Sequence, residues 1–110
     1  MRSKPYIGKM IDVEKLKKLD VCEYMEAGDY DDQYAVAEIE LQDFDLDGPV
    51  DSSGRNDYRL RICLDGARIV KILRVGLCHM CGDCGESEMH RFSARLEAEA
   101  QSVIEGLLTA

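Results

Sequence analysis

Two runs of alternating apolar and polar residues meet at Asp65-Gly66 in the stretch DYRLRICLDGARIVKILRV. Asp-Gly between alternating runs favours a tight type I′ turn, so residues 57–75 are predicted to form a hairpin. A two-residue loop pairs Leu64 with Ala67, Ile62 with Ile69, Leu60 with Lys71 and Tyr58 with Leu73. One face is then apolar except for Lys71. The other carries Arg59, Arg61, Arg68 and Arg74 among Cys63, Val70 and Ile72. Upstream, YAVAEIELQDFDLDG alternates with the same period, placing Ala35, Ala37, Ile39 and Leu41 on one side and Glu38, Glu40 and Gln42 on the other. That period predicts a strand over 33–47.

Helical spacing marks both ends of the chain. Asp12 is a cap candidate for a helical segment over 12–28, with Val13, Leu16 and Leu19 on one side, a restart at Asp20 and a stop at Gly28. Near the C-terminus, Ser87 is placed to cap a long helix over 87–108. Its stripe is Met89, Phe92, Leu96, Ala100, Val103, Ile104 and Leu107. GDYDD reads as a turn and GPVDSSGRND as a loop. The expected architecture is α+β, one domain over 1–110. A three-stranded antiparallel meander is covered by the C-terminal helix and short N-terminal helical segments, with a cysteine-rich loop at 76–86 before the last helix.

At 110 residues such a domain buries only a modest core and gains from a staple. No apolar run is long enough to cross a bilayer, and MRSKPYIGKMIDVEK lacks the apolar stretch of a secretory signal. The expected location is cytoplasmic, with the five cysteines reduced unless ligated.

The net charge of −8 is unevenly spread. Between Asp20 and Gly54 stand twelve carboxylates and no Lys, Arg or His, while the flanks hold all 14 Lys and Arg. That field disfavours direct nucleic-acid binding and favours a basic protein surface as partner.

The candidate chemistry lies in GLCHMCGDCGESEMH, residues 76–90. Cys78, Cys81 and Cys84 are spaced C-x2-C-x2-C, and glycines among them let the chain turn around a single ion. Structural zinc takes four N or S ligands in a closed tetrahedron. His90, six positions after Cys84, supplies the fourth in preference to His79, which adjoins Cys78. Placed between hairpin and helix, this centre is expected to tie the last strand to the C-terminal helix.

The cysteine run also resembles part of the bacterial ferredoxin motif C-x2-C-x2-C-x3-C-P. Position 88 is Glu, however, and no Pro follows, so an iron–sulfur cluster requires Cys22 or Cys63 from elsewhere in the chain. CGDC, residues 81–84, is a C-x-x-C, but its surroundings predict antiparallel strands rather than the βαβ setting of thiol redox motifs. Iron–sulfur or thiol electron transfer is therefore the alternative reading.

Residues 43–54, DFDLDGPVDSSG, resemble an EF-hand calcium loop through Asp43, Asp45, Asp47, Gly48 and Asp51. The closing bidentate carboxylate is replaced by Gly54, and the residues before the loop read as strand, so the calcium reading is disfavoured. As strand residues, alternate acids recur every ~6.8 Å on one face, the order of the charge spacing along a nucleic-acid strand. Glu38 and Glu40 line one face, and a register slip at a bulge lets Asp43, Asp45 and Asp47 continue the row; with Asp51 these are the candidate partner-binding residues of such a display. Phage-encoded inhibitors of host defence, anti-CRISPR proteins among them, are similar in charge and size. The competing reading is a solvated surface, part of its charge neutralised across the sheet by the hairpin arginines.

No Gly-rich phosphate loop, G-x-S-x-G or H-E-x-x-H occurs, and both histidines lie beside the cysteines, leaving no separate base for a Ser or Cys nucleophile. The expectation is a non-enzymatic, zinc-stapled binding module that inhibits or regulates a basic, nucleic-acid-handling protein. A structural subunit with a merely solvated acidic surface is the further alternative.

Overall fold

The alternating segments meet as an antiparallel meander. In the computed structural model, which describes residues 2–41, 56–78, 86–89, 92 and 94–109, the strands are β1 (Cys22–Met25), β2 (Ala35–Leu41), β3 (Asn56–Asp65), β4 (Arg68–Cys78) and β5 (Glu86–Met89). They lie in sequence order, each antiparallel to the next, with the short β5 added at the edge of the other four. Two helices, α1 (Val13–Lys17) and α2 (Ala94–Leu107), complete the α+β fold.

The core lies between one sheet face and the helices. β2 contributes Ala35, Ala37, Ile39 and Leu41, as its alternation predicts. β3 adds Leu60, Ile62 and Leu64, β4 adds Ile69 and Ile72, and α2 adds Leu96, Ala100, Ile104 and Leu107. Each fully buried aliphatic side chain contributes about 1.5–3 kcal/mol relative to exposure. α2 packs over β2, where Ala35 and Ala37 take up little volume. Asp12 caps α1 as expected, its Oδ1 accepting from the Lys15 backbone N–H at 3.1 Å.

The hairpin differs from its expected register, and the difference repairs the one flaw in the pattern. Asp65 pairs with Arg68, so Gly66-Ala67 forms the turn. Only Gly66 has positive φ, at 63°, whereas type I′ requires it at both central positions. Leu64 pairs with Ile69 but Cys63 with Lys71, leaving Val70 as the extra residue of a bulge. Without the bulge, Lys71 would stand opposite Ile62 in the core; with it, Ile72 takes that place. The same shift sets Arg74 opposite Leu60, on the helix face.

Two helical expectations are corrected. Of 12–28, only Val13–Lys17 is helical, and Cys22–Met25 forms β1 along the outer edge of β2. There the backbone of β2 offers a ladder, and Cys22 and Tyr24 pack against the core. Of 87–108, the helix begins at Ala94, because residues 86–89 pair with Arg74–Leu77 of β4 and Ser87 sits opposite Gly76. Ser87 is thus a strand residue, not a helix cap. Of the expected strand 33–47, residues 35–41 form β2 and 42–47 lie outside the described residues.

Candidate functional site

On the sheet face opposite α2, the acidic strand meets the arginines of β3. Register sets Glu38 opposite Arg61 and Glu40 opposite Arg59. Glu38 is 7% exposed, and its carboxylate is held by two arginines. Arg61 Nε donates to Oε1 at 2.7 Å and Arg61 Nη2 donates to the same oxygen. Arg59 Nη1 donates to Oε2 at 3.1 Å. A buried carboxylate needs such partners, because leaving it unpaired costs several kcal/mol. Glu38, expected among the partner-binding residues, is buried and paired with Arg59 and Arg61 within the sheet.

Glu40, two positions on, is exposed. It lines, with Asp20, Glu23, Glu38 and Arg59, a cleft of about 170 Å³ beside β1. The acids of β2 are thus divided between one that serves the sheet and one that faces solvent. Asp43, Asp45, Asp47 and Asp51 lie outside the described residues.

A second cleft, of about 330 Å³, opens farther along this face between Val36, Cys63, Val70 and the turn residues Tyr30, Asp31 and Tyr34. The turn is fastened by Asp31, whose Oδ1 accepts from the backbone N–H groups of Gln33 (2.8 Å) and Tyr34 (2.9 Å). Those bonds hold the Asp31 carboxyl below its usual range. The Arg61 guanidinium lies 5.0 Å from the centre of the Tyr30 ring. Burial pushes the Cys63 thiol up, and Asp31 adds to the effect. The Cys22 thiol is pushed up by burial and by Glu23. A thiol held protonated is a poor nucleophile at neutral pH.

Of the candidate metal ligands, Cys78 closes β4, whereas Cys81, Cys84 and His90 lie outside the described residues, as does His79. The pairing around them defines where the cysteine connection belongs. Residues 79–85 join β4 to β5, and Leu77 opposite Glu86 brings the two ends of the connection together. The connection therefore links two strands, and β5 intervenes between the cysteines and α2. Among the described residues, no three His, Cys, Asp or Glu side chains converge as a metal site.

Neither distant cysteine is placed to complete a four-thiolate set with Cys78. Cys63 pairs with Lys71, seven positions along β4 from Cys78, or roughly 23 Å at strand rise. Cys22, on β1, is three strands from β4, about 14 Å sideways alone. At the cysteine end of the sheet, Asn56 pairs with Cys78 and Leu41 with Tyr58. The acidic connection 42–55 and the cysteine connection 79–85 consequently join the sheet at one end.

One arginine of the hairpin lies on the helix face rather than with Arg59 and Arg61. Arg74 reaches Glu97 of α2, with Nε to Oε1 at 2.6 Å and Nη2 to Oε2 at 3.0 Å. Its Nη1 also donates to Ser3 Oγ at 3.0 Å. Glu97 Oε1 accepts the Phe92 backbone N–H at 2.8 Å. The interrupting Lys71 was the only available signal, since an apolar stripe broken once by a cation invites a bulge.

No family model matches the chain, and neither a curated protein nor a solved structure gives a significant match.

Proposed function

We infer that this protein is a small acidic binding module whose cysteine connection holds one structural zinc ion and whose acidic segment engages a basic protein surface. Cys78, Cys81 and Cys84 supply three thiolates and His90 the fourth ligand. Zinc has no redox chemistry of its own; when bound it fixes the geometry of the connection. The partner class that fits best is nucleic-acid-handling machinery, which the protein inhibits or regulates by occupying positive charge that would otherwise meet phosphate.

One observation carries this reading. Glu38 is paired within the sheet, while Glu40, Asp20 and Glu23 are exposed around one cleft. Arginine pairing thus absorbs part of the acidic segment and leaves part to face solvent, as a display for a basic partner requires. The iron–sulfur alternative loses support from the strand register, which keeps Cys22 and Cys63 far from Cys78.

The test is binding of a nona-arginine peptide at low and high salt. The zinc-loaded chain is expected to bind in a salt-sensitive manner. Replacing Asp43, Asp45 and Asp47 together with Asn should weaken binding and leave the melting temperature nearly unchanged. Binding that ignores both salt and these substitutions sinks the partner reading. A large fall in melting temperature would show instead that these acids serve folding.

A further inference from the structure

We propose that β1 is a docking edge, to which an extended segment of the basic partner adds as a further antiparallel strand with alternating basic and apolar residues. This rests on the basic-partner reading above and deepens it, giving the partner a backbone conformation and a place on the sheet.

β1 lies at the edge of the sheet, with β2 its neighbour. An edge strand carries unpaired N–H and C=O groups and is a template for another strand. The ladder identifies those groups. The Glu40 N–H donates to the Val21 carbonyl at 2.9 Å, and farther along Glu23 stands opposite Glu38 and Met25 opposite Val36. Antiparallel pairs alternate between those that exchange hydrogen bonds and those that do not. Val21, Glu23 and Met25 therefore turn their backbone groups to β2, and Cys22 and Tyr24 turn theirs outward. The Cys22 N–H donates to the Leu19 carbonyl at 3.1 Å. The Cys22 carbonyl and both backbone groups of Tyr24 have no backbone partner among the described residues. A peptide residue opposite Tyr24 can exchange two hydrogen bonds with it, and the residue two positions on can donate to the Cys22 carbonyl.

The two faces of β1 set the sequence that fits. Glu23 is exposed and shares the cleft beside β1 with Asp20 and Glu40. None of the ion pairs among the described residues includes these three acids. Glu26 is matched by Lys17 at 3.7 Å, so the acids left to a partner are those of the cleft. On the other face, Tyr24 packs against the core, and the Lys17 ammonium lies 4.7 Å from the centre of its ring. A peptide residue opposite Tyr24 meets an aromatic ring and a cation, which suits an apolar side chain. The residues on either side of it meet carboxylates, which suit basic ones. A second copy of this chain fits poorly, because it brings two sets of carboxylates to one seam, and like charges across strands destabilise.

The experiment is residue-resolved amide exchange on the full chain with an alternating arginine–valine octapeptide as probe. A second peptide of the same sequence is N-methylated at every valine, which keeps the charge and removes the N–H groups that face β1. The first peptide should slow exchange of the Tyr24 amide by about tenfold or more and bind about tenfold or more tighter than the methylated one. Equal binding of the two peptides, no binding of the first, or binding that leaves the Tyr24 amide unchanged overturns the docking edge. Salt-sensitive capture of nona-arginine by the same sample then leaves the basic-partner reading standing. A Tyr24 amide already slow without peptide means that this chain or a second copy covers the edge, and it overturns the proposal as well. A chain that captures neither nona-arginine nor the alternating peptide overturns both readings.

Discussion

Arg74 and Glu97 join the fourth strand to the last helix through two hydrogen bonds, 2.6 and 3.0 Å long, with both side chains nearly buried. The pair exists because the Val70 bulge turns Arg74 toward the helix, and because Glu97 falls in the first turn of α2. Burial alone would raise the Glu97 carboxyl, but hydrogen bonds from Arg74 and the Phe92 N–H outweigh it and hold the group at about 2. A carboxyl depressed in the fold stabilises it at pH above the ordinary carboxylate range, and that contribution fades as pH falls toward the native value. Glu97→Gln should destabilise the protein by about 2 kcal/mol at neutral pH, because it leaves Arg74 with a weaker acceptor. In a series of melts, the gap between wild type and variant should narrow as pH drops from about 5 toward 2. A gap independent of pH would show that the pair contributes packing rather than charge.

Glu38 and Glu40 differ by two positions in sequence and should differ in consequence. Glu38→Gln leaves Arg59 and Arg61 facing a neutral amide on the sheet, so denaturant unfolding should report a loss of about 2–3 kcal/mol. Glu40→Gln, at an exposed position, should change stability by no more than about 0.5 kcal/mol while weakening capture of the arginine peptide. Reversal of these two effects would mean that the register of β2 on β3 is wrong.

The hairpin turn gives a third expectation. Gly66 has φ 63°, and a Cβ there would meet nothing within 4 Å. The cost of Gly66→Ala is therefore purely conformational, about 1 kcal/mol from the left-handed backbone, and should be read as a small fall in melting temperature. Gly66→Asn should recover part of it, because Asn tolerates that conformation. Equal losses for Ala and Asn would place the cause elsewhere than in the backbone.

His90 and His79 are separable by metal release to a chromophoric chelator. His90→Ala should release zinc faster than wild type, and His79→Ala should release it near the wild-type rate. Equal or reversed effects would move the fourth ligand.

What the sequence disclosed follows from how local each signal is. The alternation is legible in β2 from Ala35 to Leu41 and in β3 from Tyr58 to Leu64, where every second residue is apolar and packs in or against the core. The stripe of α2 was legible for the same reason, from Leu96 to Leu107. β1 was not, because VCEYM carries a weak pattern and becomes a strand only where β2 offers a ladder. β5 escaped for a similar reason: ESEM reads locally as a helix start after Ser87, and its pairing depends on a β4 edge that sequence cannot place. The bulge at Val70 was present only as an anomaly at Lys71. For the site, the pairing of Glu38 with β3 arginines was foreseeable from charge and alternation. Its burial, and the meeting of the acidic and cysteine connections at one end of the sheet, required the register.

The zinc site proposed at Cys78, Cys81, Cys84 and His90 has a simple chemical signature. Elemental analysis of the purified chain, with its visible absorbance recorded on the same sample, reads it. The protein should be colourless and hold about one zinc per chain. Replacing Cys78, Cys81 and Cys84 with Ser should abolish the zinc. A coloured, iron-containing protein, or a chain without metal, would contradict that site.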